Sequence, residues 1–222
     1  MSKVIIDIET IGHDFAAYDQ KSQEYLLKYA ENDEAREAVR KSLALHSLTG
    51  EVVTIGMLNP ETGRGVVLFQ NKGEQIEDFE ENGLLYEAGS EKEILEKFWD
   101  MVKTYNQIIT FNGRGFDLPY LMMRSAINKV RTSRNFMGYR YNAKEHCDLM
   151  EQFTFYGATR KFSLDFYAKS FGIKSSKEEG IDGLMVGKLY EEKKYLDVAR
   201  YCHRDLLTTK ELYDYWYKYL RF

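Results

Sequence analysis

The sequence predicts a mixed α/β layer fold in one domain. Short β-branched apolar runs alternate with amphipathic helical patterns through the first half, and helical patterns dominate the second. No internal repeat, low-complexity tract or linker interrupts the 222 residues, a length that suits a single α/β domain. With 44% hydrophobic and 14% aromatic residues, the chain can bury a sizeable core, which argues against a disordered or fibrous protein.

Val4-Ile5-Ile6-Asp7-Ile8 reads as a short buried strand, apolar on both faces. A helical insertion is expected over 21–46, where Tyr25, Leu26, Tyr29, Ala30, Ala38, Val39 and Leu43 recur at three- and four-residue spacing among charges. Two apolar runs, 52–58 and 65–69, flank Asn59-Pro60-Glu61-Thr62-Gly63 and predict a hairpin. Ser90 and Glu93 form a capping box for a helix through Ile94, Leu95, Phe98, Trp99 and Val102. Ile108-Ile109-Thr110-Phe111 reads as a further strand, broken by Asn112-Gly113-Arg114-Gly115. Helices are then expected over 117–127, 163–171 and 193–220.

Several function classes drop out on composition. Only three apolar residues precede Asp7, so no signal peptide is expected, and no run approaches the ~20 apolar residues of a membrane span. Cys147 and Cys202 lie far apart and in no CxxC pair, so neither a disulfide framework nor a zinc site is expected. A reducing cytoplasm is the natural setting. The formal net charge of −4 is unevenly distributed: residues 1–113 carry 11 basic and 21 acidic side chains, 114–177 carry 12 and 5, and 178–222 carry 8 and 9. The basic segment interleaves Arg114, Arg124, Lys129, Arg131, Arg134, Arg140, Lys144, Arg160 and Lys161 with Tyr139, Tyr141, Phe155, Tyr156 and Phe162. Cations for phosphates and aromatics for bases suit a single-stranded nucleic-acid groove. An ordinary solvated face with its aromatics in the core has the same composition.

Three small patterns carry chemistry. Asp7 and Glu9 stand two apart on the first strand and so project from one side. Paired carboxylates at the end of an apolar strand repel and resist desolvation unless a cation compensates, and hard oxygen ligands suit Mg²⁺ or Mn²⁺. The bland alternative is that both face solvent. Asp117 follows a glycine-containing loop and precedes Pro119, which fits a helix's first turn. It reads as an N-cap at the C-terminal edge of the sheet, where α/β ligand sites form, with Asn112 able to add a polar contact. In the last helix Tyr201 and Asp205 are spaced i, i+4 and share a face.

These motifs together resemble the DEDD superfamily of 3′–5′ exonucleases, with a ribonuclease H-like fold: a mixed sheet flanked by helices. The first motif is Asp7-Ile8-Glu9-Thr10, the second Asn112 through Asp117, the third Tyr201 through Asp205, in the family's order. Tyr201 places the chain in the DEDDy branch, because Arg200 stands where the DEDDh branch has histidine and His203 is misplaced for that role. Cys147-Asp148-Leu149-Met150, the stretch from Lys161 to Gly172, Ile181-Asp182-Gly183 and Tyr201-Cys202 look like the stand-alone exonucleases related to family B polymerases. A polymerase palm and fingers do not fit in 222 residues.

The resemblance implies one exonuclease domain over 1–222, acting at the 3′ end of single-stranded nucleic acid, DNA expected over RNA, and releasing nucleoside monophosphates. It implies two divalent ions, Mg²⁺ or Mn²⁺, with Asp7 bridging, Glu9 and Asp205 on the water-activating ion, and Asp117 supporting the second through water. Tyr201 orients the attacking water; Thr10 and Phe116 wedge the terminal nucleotide. The ions offset the four carboxylates, leaving the basic stretch to meet the backbone. Two rival readings stand beside this one, a non-catalytic nucleic-acid-binding module on the same fold and an endonuclease or junction nuclease. Elsewhere His46 reads as a loop residue, His146 has no zinc partner, Asp148 is a structural acid near the sheet edge, and Met122-Met123 and Tyr213, Trp216, Tyr217 read as core.

Overall fold

The computed structural model describes residues 2–175, 177, 183 and 185–221. Ile181 and Asp182, which entered the resemblance, lie outside them. A seven-stranded sheet runs in the order β4-β5-β3-β2-β1-β6-β7. At its centre β1 (Lys3–Gly12) pairs antiparallel with β2 (Gly50–Leu58) and parallel with β6 (Gln107–Thr110). The expected hairpin is β2 with β3 (Gly65–Gln70). Outside it, β5 (Leu84–Gly89) joins β3 in parallel and β4 (Phe79–Glu81) forms the edge; at the other edge β7 (His146–Asp148) follows β6.

Side-chain alternation along β1 separates the two faces. Val4, Ile6 and Ile8 enter one apolar core, and Ile5 enters the other. The first core is covered by α3 (Glu91–Val102) and α4 (Asp117–Ile127), joined by a buried Trp99 Nε1 to Ser125 Oγ hydrogen bond of 2.7 Å. Both arms of the Ser90–Glu93 capping box form at the start of α3, worth about 1 kcal/mol. The second core is covered by α5 (Leu149–Phe153), α6 (Leu164–Ser170), α7 (Val186–Glu191) and the long α8 (Tyr195–Tyr219). Asp7 and Glu9 follow Ile5 on the same side, so the fold places them under α8.

The 21–46 region is helical but broken: α1 (Gln20–Leu26), α2 (Asp33–Ser42) and a 3₁₀ turn (Leu43–Leu45), with Asn32 capping α2 through a bond to Ala35 N. Of these segments only Leu43 is buried, and Tyr25 and Tyr29 stand 77% and 84% exposed. Tyr25 lies on α1 and Tyr29 in the turn beyond it, so their helical spacing marks no buried face. Two more core expectations divide. Tyr213 and Trp216 are buried, whereas Met123 and Tyr217 are close to half exposed on the outer faces of α4 and α8.

Candidate active site

The first two carboxylates owe their position to β1. Asp7 pairs with Gly56 and Glu9 with Thr54, both in regular register, and the ladder slips by one residue only after Glu9. Gly56 is what lets α8 come down onto them. A Cβ there would lie 2.7 Å from Leu206 Cδ1 and 2.8 Å from Cys202 Sγ, so only a residue without a side chain admits the helix at this depth. Cys202 Sγ reaches the Asp7 carbonyl at 3.7 Å. Tyr201 and Asp205, one helical turn apart, therefore meet the strand from above.

Asp7, Glu9 and Asp205 each present an oxygen within 4.8 Å of the others. Glu9 and Asp205 are buried, and Asp7 Oδ2 is buried with no hydrogen-bond partner. Desolvation, followed by the charges of Asp205 and Asp117, pushes both Asp7 and Glu9 well above the usual carboxylate range. Lys177 opposes this at Glu9 by favouring the ionised form. Three clustered acids, with the buried Asp7 Oδ2 unpartnered, form a set of hard oxygen donors. Hard divalent cations fit that set.

Asp117 arrives by another route. Pairing of β1 with β6 runs only from Lys3 to Ile5, so the β1 edge is open beyond it. Asp117 Oδ1 fills the opening by accepting the Ile8 N–H at 3.2 Å. The expected N-cap role is not what forms. Phe116 holds the cap position without a side-chain bond, and Asp117 is the first helical residue, turned to the strand instead. Burial raises its carboxyl to about 7, with Asp148 and Asp205 adding to the rise.

The loop bringing Asp117 here is clamped by Asp148. Its Oδ1 accepts from Asn112 N at 2.9 Å and Met150 N at 3.0 Å, and its Oδ2 from Arg114 N at 2.9 Å. Asn112 sits in the left-handed region at φ 63°, a conformation asparagine tolerates. Tyr201 is buried; desolvation first, then Asp205, Glu9 and Asp7, drive its hydroxyl far above the ordinary phenol value, so it stays neutral.

The remaining sequence candidates sit around this centre. Thr10 Oγ1 donates to the Ala44 carbonyl at 2.8 Å, tying the helical insertion to the end of β1. Phe116 is half-buried, its ring 5.4 Å from that of Tyr120. His203 lies two residues from Asp205 but is engaged with Tyr86 Oη at 2.7 Å, and His146 with Thr110 Oγ1 at 2.9 Å. Asp148, expected as a structural acid near the sheet edge, is that, though its three-fold grip was not foreseen. Sequence reasoning missed Gly56 and Lys177, and only Gly56 left a trace, as a glycine inside a strand pattern.

A family model described as a predicted 3′–5′ exonuclease related to the exonuclease domain of PolB matches residues 65–222. That span contains Asp117, Tyr201 and Asp205 and begins after Asp7 and Glu9. Among curated proteins, nothing matches. Among solved structures, the family B DNA polymerase from the hyperthermophilic archaeon Pyrobaculum calidifontis is similar over 97% of this chain, at 19% identity and a TM-score of 0.62. The likeness establishes the ribonuclease H-like fold, and this chain spans 24% of the polymerase's length.

Proposed function

This chain belongs to the family of predicted 3′–5′ exonucleases related to the exonuclease domain of PolB, and on that premise we propose a metal-dependent enzyme that removes nucleoside monophosphates from the 3′ end of single-stranded nucleic acid, DNA in preference to RNA. Residues 1–222 act as one domain. The observation that carries the proposal is the meeting of Asp7, Glu9 and Asp205 within 4.8 Å, with Asp7 Oδ2 buried and unpartnered. Asp7, Glu9, Asp117 and Asp205 would hold two Mg²⁺ or Mn²⁺ ions. When bound, such ions lower the pKa of water and offset the negative charge that hydroxide attack adds to a phosphodiester.

The chain's own groups do the positioning. Tyr201, neutral and held beside Asp205, orients the attacking water by hydrogen bonding and takes no proton from it. Asp117 joins the strand to α4, so a ligand held by Asp117 is held in register with one held by Asp7. Thr10, Asn112 and Phe116 border this centre and contact the terminal nucleotide. Cys147 and Cys202 are free and buried, which accords with a reducing cytoplasm. No helix among the described residues is long and apolar enough to cross a membrane.

The test is purified protein with end-labelled DNA and RNA oligomers in Mg²⁺ or Mn²⁺. Stepwise shortening from the 3′ end is expected, faster on DNA. No shortening of either polymer with either metal refutes the proposal; cleavage of a circular single strand replaces it with an endonuclease; and binding that persists without metal and without cleavage replaces it with a binding module.

A further inference from the structure

The basic segment 114–177 is divided: Lys177 acts on Glu9 of the carboxylate cluster, while other cations stand well away from it. Four of its cations, with two from elsewhere in the chain, lie at the other end of the sheet or near it. Three neighbouring cavities of about 550, 590 and 260 Å³ adjoin one another there: the first and second share Asn142 and Lys144, the second and third share Lys103 and Ser133. Their walls include Tyr105, Asn106 and Gln107, where β6 begins and pairs with Lys3 of β1. Asp7 lies four residues further along β1, about 13 Å at the rise of a strand.

Lys103, Lys129, Arg131, Arg134, Lys144 and Arg221 line this trough, against Glu96, Asp100 and Glu145. The trough is net positive on a chain that is net −4. Part of the charge has internal work. Arg134 donates to the carbonyls of Tyr105 and Asn106 at 2.7 and 3.0 Å, and Lys103 pairs with Asp100. Lys129, Arg131 and Lys144 have no ion-pair partner among the described residues. Beside Lys144 stand Tyr139 and Tyr141, 74% and 55% exposed, with ring centroids 5.6 Å apart in an edge-to-face pair. Aromatic rings left in water between unpaired cations are what base stacking with backbone neutralisation requires. The exposed ring pair beside Lys144 gives bases a stacking platform next to a phosphate contact, which favours a nucleic-acid strand.

We propose that this trough is an exosite for single-stranded nucleic acid, holding the strand several nucleotides from the end that enters the carboxylate cluster, Tyr139 and Tyr141 stacking on bases and Arg131 and Lys144 meeting phosphates. The idea rests on the exonuclease reading and extends it: short substrates reach only the cluster, long ones reach both.

The test uses Arg131→Gln/Lys144→Gln and Tyr139→Ala/Tyr141→Ala, both checked for folding by circular dichroism. A 30-nucleotide single strand is followed by fluorescence anisotropy without divalent metal across a salt series, and hydrolysis of the same strand and of a dinucleotide is followed with Mn²⁺. The charge variant is expected to lower the salt slope by about 1.4, at about 0.7 per phosphate contact. The tyrosine variant is expected to weaken binding about 5- to 150-fold per base unstacked. Both variants raise KM for the 30-mer and leave dinucleotide hydrolysis unchanged. Equal effects on dinucleotide and 30-mer, or no change in 30-mer binding, overturn the exosite. Wild-type protein that hydrolyses neither substrate defeats the exonuclease reading, while anisotropy still decides the trough. A 30-mer whose binding ignores the trough variants, with an acidic protein taking their place as the salt-sensitive ligand, also overturns it.

Discussion

Replacing Asp7 by Asn separates the two demands placed on the carboxylate cluster. In the metal-free protein Asp7 lies with Glu9 and Asp205 inside a 4.8 Å group, its Oδ2 buried and unpartnered. Two unit charges at that separation repel by about 3 kcal/mol at an effective dielectric near 20. The upward shift of both carboxyls favours a proton shared within the group, which relieves part of this. Asparagine removes one charge and supplies an amide donor to its neighbours. Asp7→Asn is therefore expected to stabilise the metal-free protein at pH 8 by about 1–3 kcal/mol, a rise in Tm of about 2–12 °C for a chain of this size. The wild type is expected to gain about 2.7 kcal/mol from Mn²⁺ at a hundredfold excess over Kd, and the variant to lose most of that gain. Hydrolysis of a 3′-labelled strand is expected to fall by about 10²–10³-fold or more. Differential scanning fluorimetry with and without Mn²⁺, beside the nuclease assay, reads all three. A variant destabilised by more than about 1 kcal/mol without metal, or one keeping activity within tenfold, would refute the reasoning.

Other expectations follow from single contacts. Gly56→Ala forces a methyl against Leu206 and Cys202; it is expected to lower stability by about 1–3 kcal/mol and kcat more than KM, read by denaturant melts and steady-state kinetics. Arg124→Met takes from the buried Glu91 the cation that holds it at 2.8 and 2.7 Å, leaving it only the Val52 N–H and the Asn128 amide, and is expected to cost about 3–5 kcal/mol in a urea melt. The carboxyl of Asp117 has a folded value of about 7, above its unfolded value. Its protonation therefore favours the folded state, and this stability is full below pH ~4 and lost as pH rises through 7. Urea midpoints of metal-free protein should show that loss between pH 4 and 7, and Asp117→Asn should flatten it.

What was legible in the sequence was local. Alternation along a strand needs no partner, so Asp7 and Glu9 sharing a side could be read from two letters. Tyr201 and Asp205 were readable as one helical face and acquired meaning only beside the other motifs. The second motif shows where local reading stops: Asp117 looked like a cap because Pro119 follows it, yet its carboxylate crosses to the Ile8 N–H, a partner 109 positions away. Tyr25 and Tyr29 had helical spacing and no surface to cover. The β4–β5 hairpin was missed although Asn82-Gly83, both at positive φ (52° and 85°), is a two-residue turn signal; its first strand, Phe79-Glu80-Glu81, is too short and acidic to advertise itself. A count of charges along the chain could not say which end of the sheet the cations would reach, since the 131–144 segment runs back to where β6 begins.

The odd-and-even division of β1 also constrains how this chain can change length. Losing or gaining one residue between Lys3 and Asp7 while the preceding residues keep their place would turn both carboxylates into the α3–α4 core and turn Ile8 toward α8. A two-residue change keeps the faces but slides Asp7 about 7 Å past Gly56, away from the gap that admits the helix. Related chains are therefore expected to vary freely in the turn at 59–63 and in the insertion, and to hold the number of residues from Val4 to Glu9 constant.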